Sequence, residues 1–176
     1  MSARSLLEDN RQVQRAVELI KLGARLQMLQ AETALPYERL LRLYKEVAGK
    51  SPSKGQLPFS TDWFVSWQPN VHASLYFNIY SYLLKASPLD DVDAMVKAYR
   101  LYVSEVATLG VEPLLSITRA WRLVRFVDSN LLTTTRCSRC GGHFVNHAYE
   151  LERDYVCGLC KPPARAGKAR RGGAIH

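Results

Sequence analysis

Hydrophobic positions recur along most of the chain at three- and four-residue intervals, the period that gathers them on one face of an α-helix. Val13, Val17, Ile20 and Ala24 make the first such stripe. Ser5 and Glu8 ahead of it have the spacing of a capping box, in which the serine accepts from the third amide and the glutamate reaches back. A helix from Ser5 to about Gln30 is expected. A short break follows, and Pro36 is well placed for the first turn of a new helix. That helix, Tyr37 to Val47, has Leu40, Leu41 and Tyr44 on one side and Arg39, Arg42 and Lys45 largely on another.

Three more helices are expected. Val71 to Lys85 carries His72, Leu75, Tyr76, Ile79, Tyr80 and Leu83. Ser87 to Asp91 breaks the chain and supplies aspartates for the next start. Val92, Met95, Val96, Tyr99, Val103 and Val106 then form the clearest stripe, which Gly110 stops. Pro113 opens a last helix with Leu114, Ile117, Trp121 and Val124 on one face, ending near Asn130. Arg119, Arg122 and Arg125 recur every three residues on its other side, as a basic ridge or as a wet face. The fold class is therefore mainly α, with about five helices over residues 1–131.

Two stretches depart from helical spacing. Between Gly49 and Asn70 a turn-rich connector leads into Leu57-Pro-Phe-Ser-Thr-Asp-Trp-Phe64 and on to Trp67. So much aromatic surface is usually pinned into a core or an interface, since leaving one large side chain in water costs about 1.5–3 kcal/mol. Segment 57–67 is read as one or the other, with Asp62 positioned to cap a short helix. The second departure is residues 132–163. Here Cys137-Ser-Arg-Cys140 and Cys157-Gly-Leu-Cys160 hold all four cysteines of the 176-residue chain.

Two Cys-x-x-Cys pairs at this separation have the ligand spacing of a structural zinc site, each pair making a knuckle and the intervening chain closing a tetrahedron. Phe144, Val145, Tyr149, Leu151, Tyr155 and Val156 between the knuckles are expected to furnish two short strands of a ribbon. Disulfides and a redox pair are the competing readings. The first suits a secreted chain, and no leader is legible; the second needs a single pair opening a helix after a strand. Cys137, Cys140, Cys157 and Cys160 are the expected ligands of one Zn²⁺, with His143 and His147 read as non-ligands.

Composition narrows the function. Hydrophobic residues make up 47% of the chain, as in ordinary globular proteins, and no run approaches the ~20 apolar residues that span a bilayer. A cytoplasmic protein with reduced cysteines is expected. The net charge is +8. Lys161, Arg165, Lys168, Arg170 and Arg171 supply five positive charges after Cys160 with no acidic residue among them. Residues 164–176 thus form a basic tail, expected to be disordered alone and suited to a polyanion or simply to solubility. A helix, a turn and a second helix with a basic face over residues 14–47 is compatible with a helix-turn-helix, and equally with a helical hairpin whose arginines are solvated. No nucleophile–base pair and no phosphate loop stands out, so an enzyme is disfavoured.

Several stretches together resemble the FlhC family, a subunit of the bacterial flagellar master transcriptional activator. They are Glu18–Leu29, Lys54–Phe64 (KGQLPFSTDWF), Asn70–Ser74, Lys97–Tyr102, Thr118–Val127 and the CSRCGG…CGLCKPP module. The likeness spans about residues 5–165. It implies a mostly helical subunit with a four-cysteine zinc site, binding DNA upstream of flagellar operons together with FlhD. The assembly implied is a heterohexamer of two FlhC and four FlhD chains that recruits RNA polymerase. DNA contacts are then expected at Arg39, Arg42, Lys45, Arg136, Arg139, Lys161, Arg165, Lys168, Arg170 and Arg171, through phosphates above all. A zinc-stabilised interaction subunit that leaves DNA to its partner, and an RNA-binding zinc-ribbon protein, are the alternatives.

Overall fold

The computed structural model describes residues 5–150, 152–164 and 166. Seven helices and one two-stranded sheet lie within them: α1 (Leu6–Lys21), α2 (Leu26–Glu32), α3 (Tyr37–Ala48), α4 (Asp62–Val65), α5 (Trp67–Ala86), α6 (Asp91–Thr108), α7 (Ile117–Asp128), β1 (Leu132–Arg136) and β2 (His143–His147). The mainly helical class is as expected. Two helices beyond the expected five arise because the first divides into α1 and α2, and because α4 adds one turn.

The expected continuous helix to Gln30 ends instead at Lys21. Gly23 adopts a left-handed φ of +82°, and its amide bonds the Ile20 carbonyl while the Ala24 amide bonds that of Leu19. This is a Schellman closure, in which one glycine satisfies the last carbonyls and turns the chain. Ala24 is buried on the far side of that turn, so the apolar stripe continued where the helix did not. Nor does the expected capping box form: the Ser5 side chain caps nothing, and the Glu8 carboxylate accepts from Gln12.

The last helix also starts later than Pro113. Ser116 is its cap, accepting from the Arg119 amide at 3.2 Å. Upstream, both polar backbone groups of Leu115 are taken by tyrosines of α6. The Leu115 amide donates to the Tyr102 hydroxyl (3.1 Å), and its carbonyl accepts from Tyr99 (3.0 Å). Backbone groups satisfied from outside need no helix, and Leu115 enters the core on an extended segment. Asp62 does not cap α4; it is its first residue, and its carboxylate faces His147 Nε2 at 3.2 Å.

One core joins the helices to the sheet. Leu19, Met28, Leu29, Leu40, Phe64, Tyr76, Met95, Tyr102, Ile117 and Leu123 are fully buried in it, together with Leu132 of β1 and Val145 of β2. Arg125 of α7 fastens its edge, bonding Glu32 of α2 (2.6 Å), Asp91 of α6 (3.1 Å) and Asp128 (3.0 Å). Trp121 Nε1 donates to the same Glu32 carboxylate, and the Tyr80 hydroxyl to Asp91. The arginines of α7 are therefore neither an open ridge nor a wet face. Arg119 lies 4.0 Å over the Trp63 ring, and Arg122 Nε donates to the Pro58 carbonyl at 3.0 Å.

His72 sits buried in this core with Nδ1 2.7 Å from the Tyr102 hydroxyl. That hydroxyl also accepts from the Leu115 amide, so His72, Tyr102 and the Leu115 backbone form one buried hydrogen-bonded chain. Burial lowers the His72 pKa below its usual value. An unfolded chain protonates His72 from about pH 6.5 downward while the folded chain resists, so the stability from neutral His72 is full above about pH 6.5 and declines below it. Denaturant unfolding should show a larger loss between pH 7.5 and 6 in the wild type than in His72→Asn, which keeps an acceptor and cannot titrate.

Candidate metal centre

A turn at Asn130, with φ 57°, leads from α7 into β1. β1 pairs antiparallel with β2, from Leu132 opposite His147 to Arg136 opposite His143. The first knuckle is the tip of this hairpin. The Cys137 amide donates to the Gly142 carbonyl (2.8 Å), and Gly141, at φ +73°, donates to the Cys137 carbonyl (2.9 Å). The second knuckle repeats that turn, with the Lys161 amide on the Cys157 carbonyl at 3.0 Å. The strands therefore flank the first knuckle, whereas the sequence reading placed both between the knuckles. Phe144 and Val145 are in β2 as expected; Tyr149, Tyr155 and Val156 are in no strand, and Leu151 lies outside the described residues.

The two knuckles face each other. The Ser138 amide and hydroxyl both donate to the Tyr155 carbonyl, and the Cys157 amide donates to Cys137 Sγ at 3.3 Å. The four sulfurs all lie within 4.8 Å of one another, and Cys140 Sγ is 3.8 Å from Cys157 Sγ. Sulfurs bound at about 2.3 Å around a tetrahedral ion are about 3.8 Å apart, while a disulfide needs about 2.05 Å. The set fits a metal ion, and all four cysteines are free thiols. Hydrogen bonds from the Cys140 and Cys157 amides hold the Cys137 thiol down to about 6. The hydrogen bond with the Cys157 sulfur, then burial, push Cys160 up to about 12. One thiolate is thus favoured before any ion arrives, and a cation is what four together require.

The centre is fixed to the helices by a seam that the sequence reading missed. Along one face of α5, Asn70 Nδ2 donates to the Val145 carbonyl (2.7 Å), Ser74 Oγ accepts from the Val145 amide (2.9 Å) and Asn78 Nδ2 donates to the His143 carbonyl (2.9 Å). Residues 70, 74 and 78 fall four apart, so their side chains line up and satisfy the free edge of β2 as a third strand would. A polar stripe at helical spacing was the signal. One turn earlier Trp67 Nε1 donates to the Gly158 carbonyl at 3.1 Å. A Cβ on Gly158 would stand 2.6 Å from Trp67 Cδ1. Gly158→Ala is expected to displace the second knuckle from α5 while leaving the four thiols in place. The change should appear as altered Trp fluorescence with metal content unchanged.

Of the cations expected at a DNA surface, Arg136, Arg139 and Lys161 are exposed around this centre, and Arg139 Nη1 reaches the Cys160 carbonyl at 3.4 Å. Arg39 on α3 is engaged in a two-bond pair with Asp9, at 2.7 and 2.8 Å. Arg42 and Lys45 are exposed on the same helix, which packs on α1 and α2. Arg165, Lys168, Arg170 and Arg171 lie outside the described residues. His147 stacks on Tyr149 and faces Asp62, and among the described residues the only cluster able to hold a metal is the four cysteines.

The family model described as Flagellar transcriptional activator (FlhC) matches residues 1–173. The chain belongs to the FlhC family. A flagellar transcriptional regulator FlhC from Verminephrobacter eiseniae is 62% identical over 98% of this chain and 93% of its own length. Relatives with the same description from Thauera aminoaromatica and Yersinia enterocolitica are 56% and 50% identical, each over 97% of this chain and 88% and 89% of their own lengths. The family is one of transcriptional regulators, not an enzyme class. Among the described residues no helix is long and apolar enough to cross a membrane.

Proposed function

We propose that the chain is the DNA-contacting subunit of a cytoplasmic complex with FlhD that activates flagellar operons, in the two-to-four heterohexamer, by binding promoter duplex and recruiting RNA polymerase. The supporting observation is the four-thiol centre ringed by Arg136, Arg139 and Lys161. In this reading Cys137, Cys140, Cys157 and Cys160 hold one Zn²⁺, which when bound neutralises the thiolates and contributes folding energy to a module too small to be stable alone. Residues 132–163 then form that module on a helical body of residues 1–131, and the tail 164–176 extends its charge. Ser138, Trp67, Asn70 and Asn78 orient the knuckles. The exposed cations bind phosphates and set the register of the protein on the duplex, while base reading falls to other groups or to DNA shape.

The internal engagement of Arg39, Arg119, Arg122 and Arg125 favours one competing reading, an interaction subunit whose partner does all the DNA contacting. A gel shift on a flagellar promoter duplex, with and without FlhD and at several salt concentrations, separates them. Alanine at Arg136, Arg139 and Lys161 should weaken binding at all sequences and flatten the log-affinity against log-salt slope by about 0.9 for each phosphate no longer neutralised. Unchanged affinity and slope would mean that the partner alone touches DNA. Single-stranded RNA outcompeting the duplex would instead point to an RNA-binding role.

A further inference from the structure

The segment between α3 and α4 ends in LPFST and runs into Asp62 and Trp63 of α4, and this stretch is held by three arginines that have no carboxylate partner among the described residues. Arg25 Nη1 donates to the Gln56 carbonyl at 2.5 Å, Arg122 Nε to that of Pro58, and Arg119 stacks on Trp63. By contrast Arg11, Arg15, Arg39, Arg100 and Arg125 each pair with an aspartate or glutamate. Arg25 and Arg119 share a cleft of about 600 Å³ with Leu57, Pro58, Phe59 and Trp63. Burial, and then the nearby charge of Arg25, lower the Arg119 pKa, so the two guanidiniums repel each other there. At the rim Phe59 is 76% exposed, while Phe64, five residues on, is fully buried. The aromatic segment is therefore divided: one end anchors the core, and the other is presented outward.

We infer that this cleft docks an acidic segment of the protein partner, with a carboxylate seated between Arg25 and Arg119 and an apolar side chain over Phe59. This deepens the partner reading above and rests on it. Two unneutralised guanidiniums want an anion, and a carboxylate matches their planar donor forks. The apolar wall decides which anion. A DNA phosphate track leaves the rings of Phe59 and Trp63 and the side chains of Leu57 and Pro58 wet, whereas a peptide covers them. Arginine beside exposed aromatic surface is the composition of a protein–protein hot spot. Asp62 on the same wall, which also faces His147, can accept from amides of a bound peptide.

The test is titration of the full chain with purified FlhD by calorimetry, at low and moderate salt, with promoter-duplex affinity measured separately. Phe59→Asp should weaken FlhD binding about tenfold or more, and Phe59→Leu should restore most of it. Arg25→Gln, which keeps a donor for the Gln56 carbonyl, should weaken it several-fold and reduce its salt dependence. Melting temperature and metal content should be unchanged in Phe59→Leu and Arg25→Gln, which separates docking from folding. Wild-type affinity in Phe59→Asp and Arg25→Gln overturns the cleft while leaving the partner reading intact. Loss of duplex affinity with unchanged FlhD binding makes it a phosphate site and also overturns it. A wild-type chain that does not bind FlhD brings down the partner reading and this proposal together.

Discussion

Cys157→Ser should strip the chain of stoichiometric metal and release the second knuckle from α5. Cys157 is fully buried, its sulfur lies 3.8 Å from that of Cys140, and its amide donates to Cys137. Little apolar packing holds this stretch: among the described residues, Cys137, Phe144 and Cys157 are the only buried ones of the small cluster beside the knuckles. Structural zinc in such modules is worth on the order of 10 kcal/mol of folding energy, far more than three side chains supply. Elemental analysis should fall from one zinc per chain to nearly none, and Trp67 should lose its bond to Gly158. Far-UV circular dichroism should keep its helical signal, because the large core lies elsewhere. Promoter affinity should fall with the metal.

Acid should have the same effect as the mutation. The ligands bind as thiolates, so protons compete with the ion. Metal should be retained at pH 7 and progressively lost below about pH 6. Unaltered zinc content in Cys157→Ser would refute the ligand set.

The second large effect is at Arg125. Its guanidinium neutralises Glu32, whose side chain is only 9% exposed, and joins it to Asp91 and Asp128. Arg125→Ala leaves that carboxylate buried with only the Trp121 N–H, and removing one partner of a buried pair costs about 3–5 kcal/mol. Because Arg125 is itself about a third exposed, the lower end is expected, or roughly 6–12 °C in melting temperature for a chain of this size. Lysine should rescue little, since one ammonium cannot reproduce a fork shared among three carboxylates. Glu32→Gln together with Arg125→Met should recover most of the loss, because no buried charge is then left unpaired, Asp91 and Asp128 being about half exposed. A melting temperature equal to wild type in Arg125→Ala would show that water reaches Glu32.

What could be read from the sequence followed from short-range physics. The stripes of α3 and α6 and the stop at Gly110 depend on local spacing and on one left-handed glycine, and they stand where the pattern put them. The cysteine spacing likewise brings four sulfurs together, because two tight knuckles leave few other ways to close. The stop at Gly23 went unread, because the apolar stripe runs through the turn. The start of α7 was not legible, since Tyr99 and Tyr102 on another helix hold the Leu115 backbone extended. The same limit applied to charge. Arg119, Arg122 and Arg125 look alike along one helix, yet one stacks on Trp63, one grips the Pro58 carbonyl and one pairs with Glu32.

The sequence by itself determined that this is a helical chain with two cysteine knuckles whose sulfurs are close enough to hold a metal ion, since hydrophobic period and ligand spacing act over a few residues at a time. Only the tertiary structure decided which cations are spent inside the fold and which remain outside, and that α5 holds β2 by Asn70, Ser74 and Asn78. Each of those outcomes depends on partners that lie 30 or more residues away along the chain, and no local pattern encodes their approach.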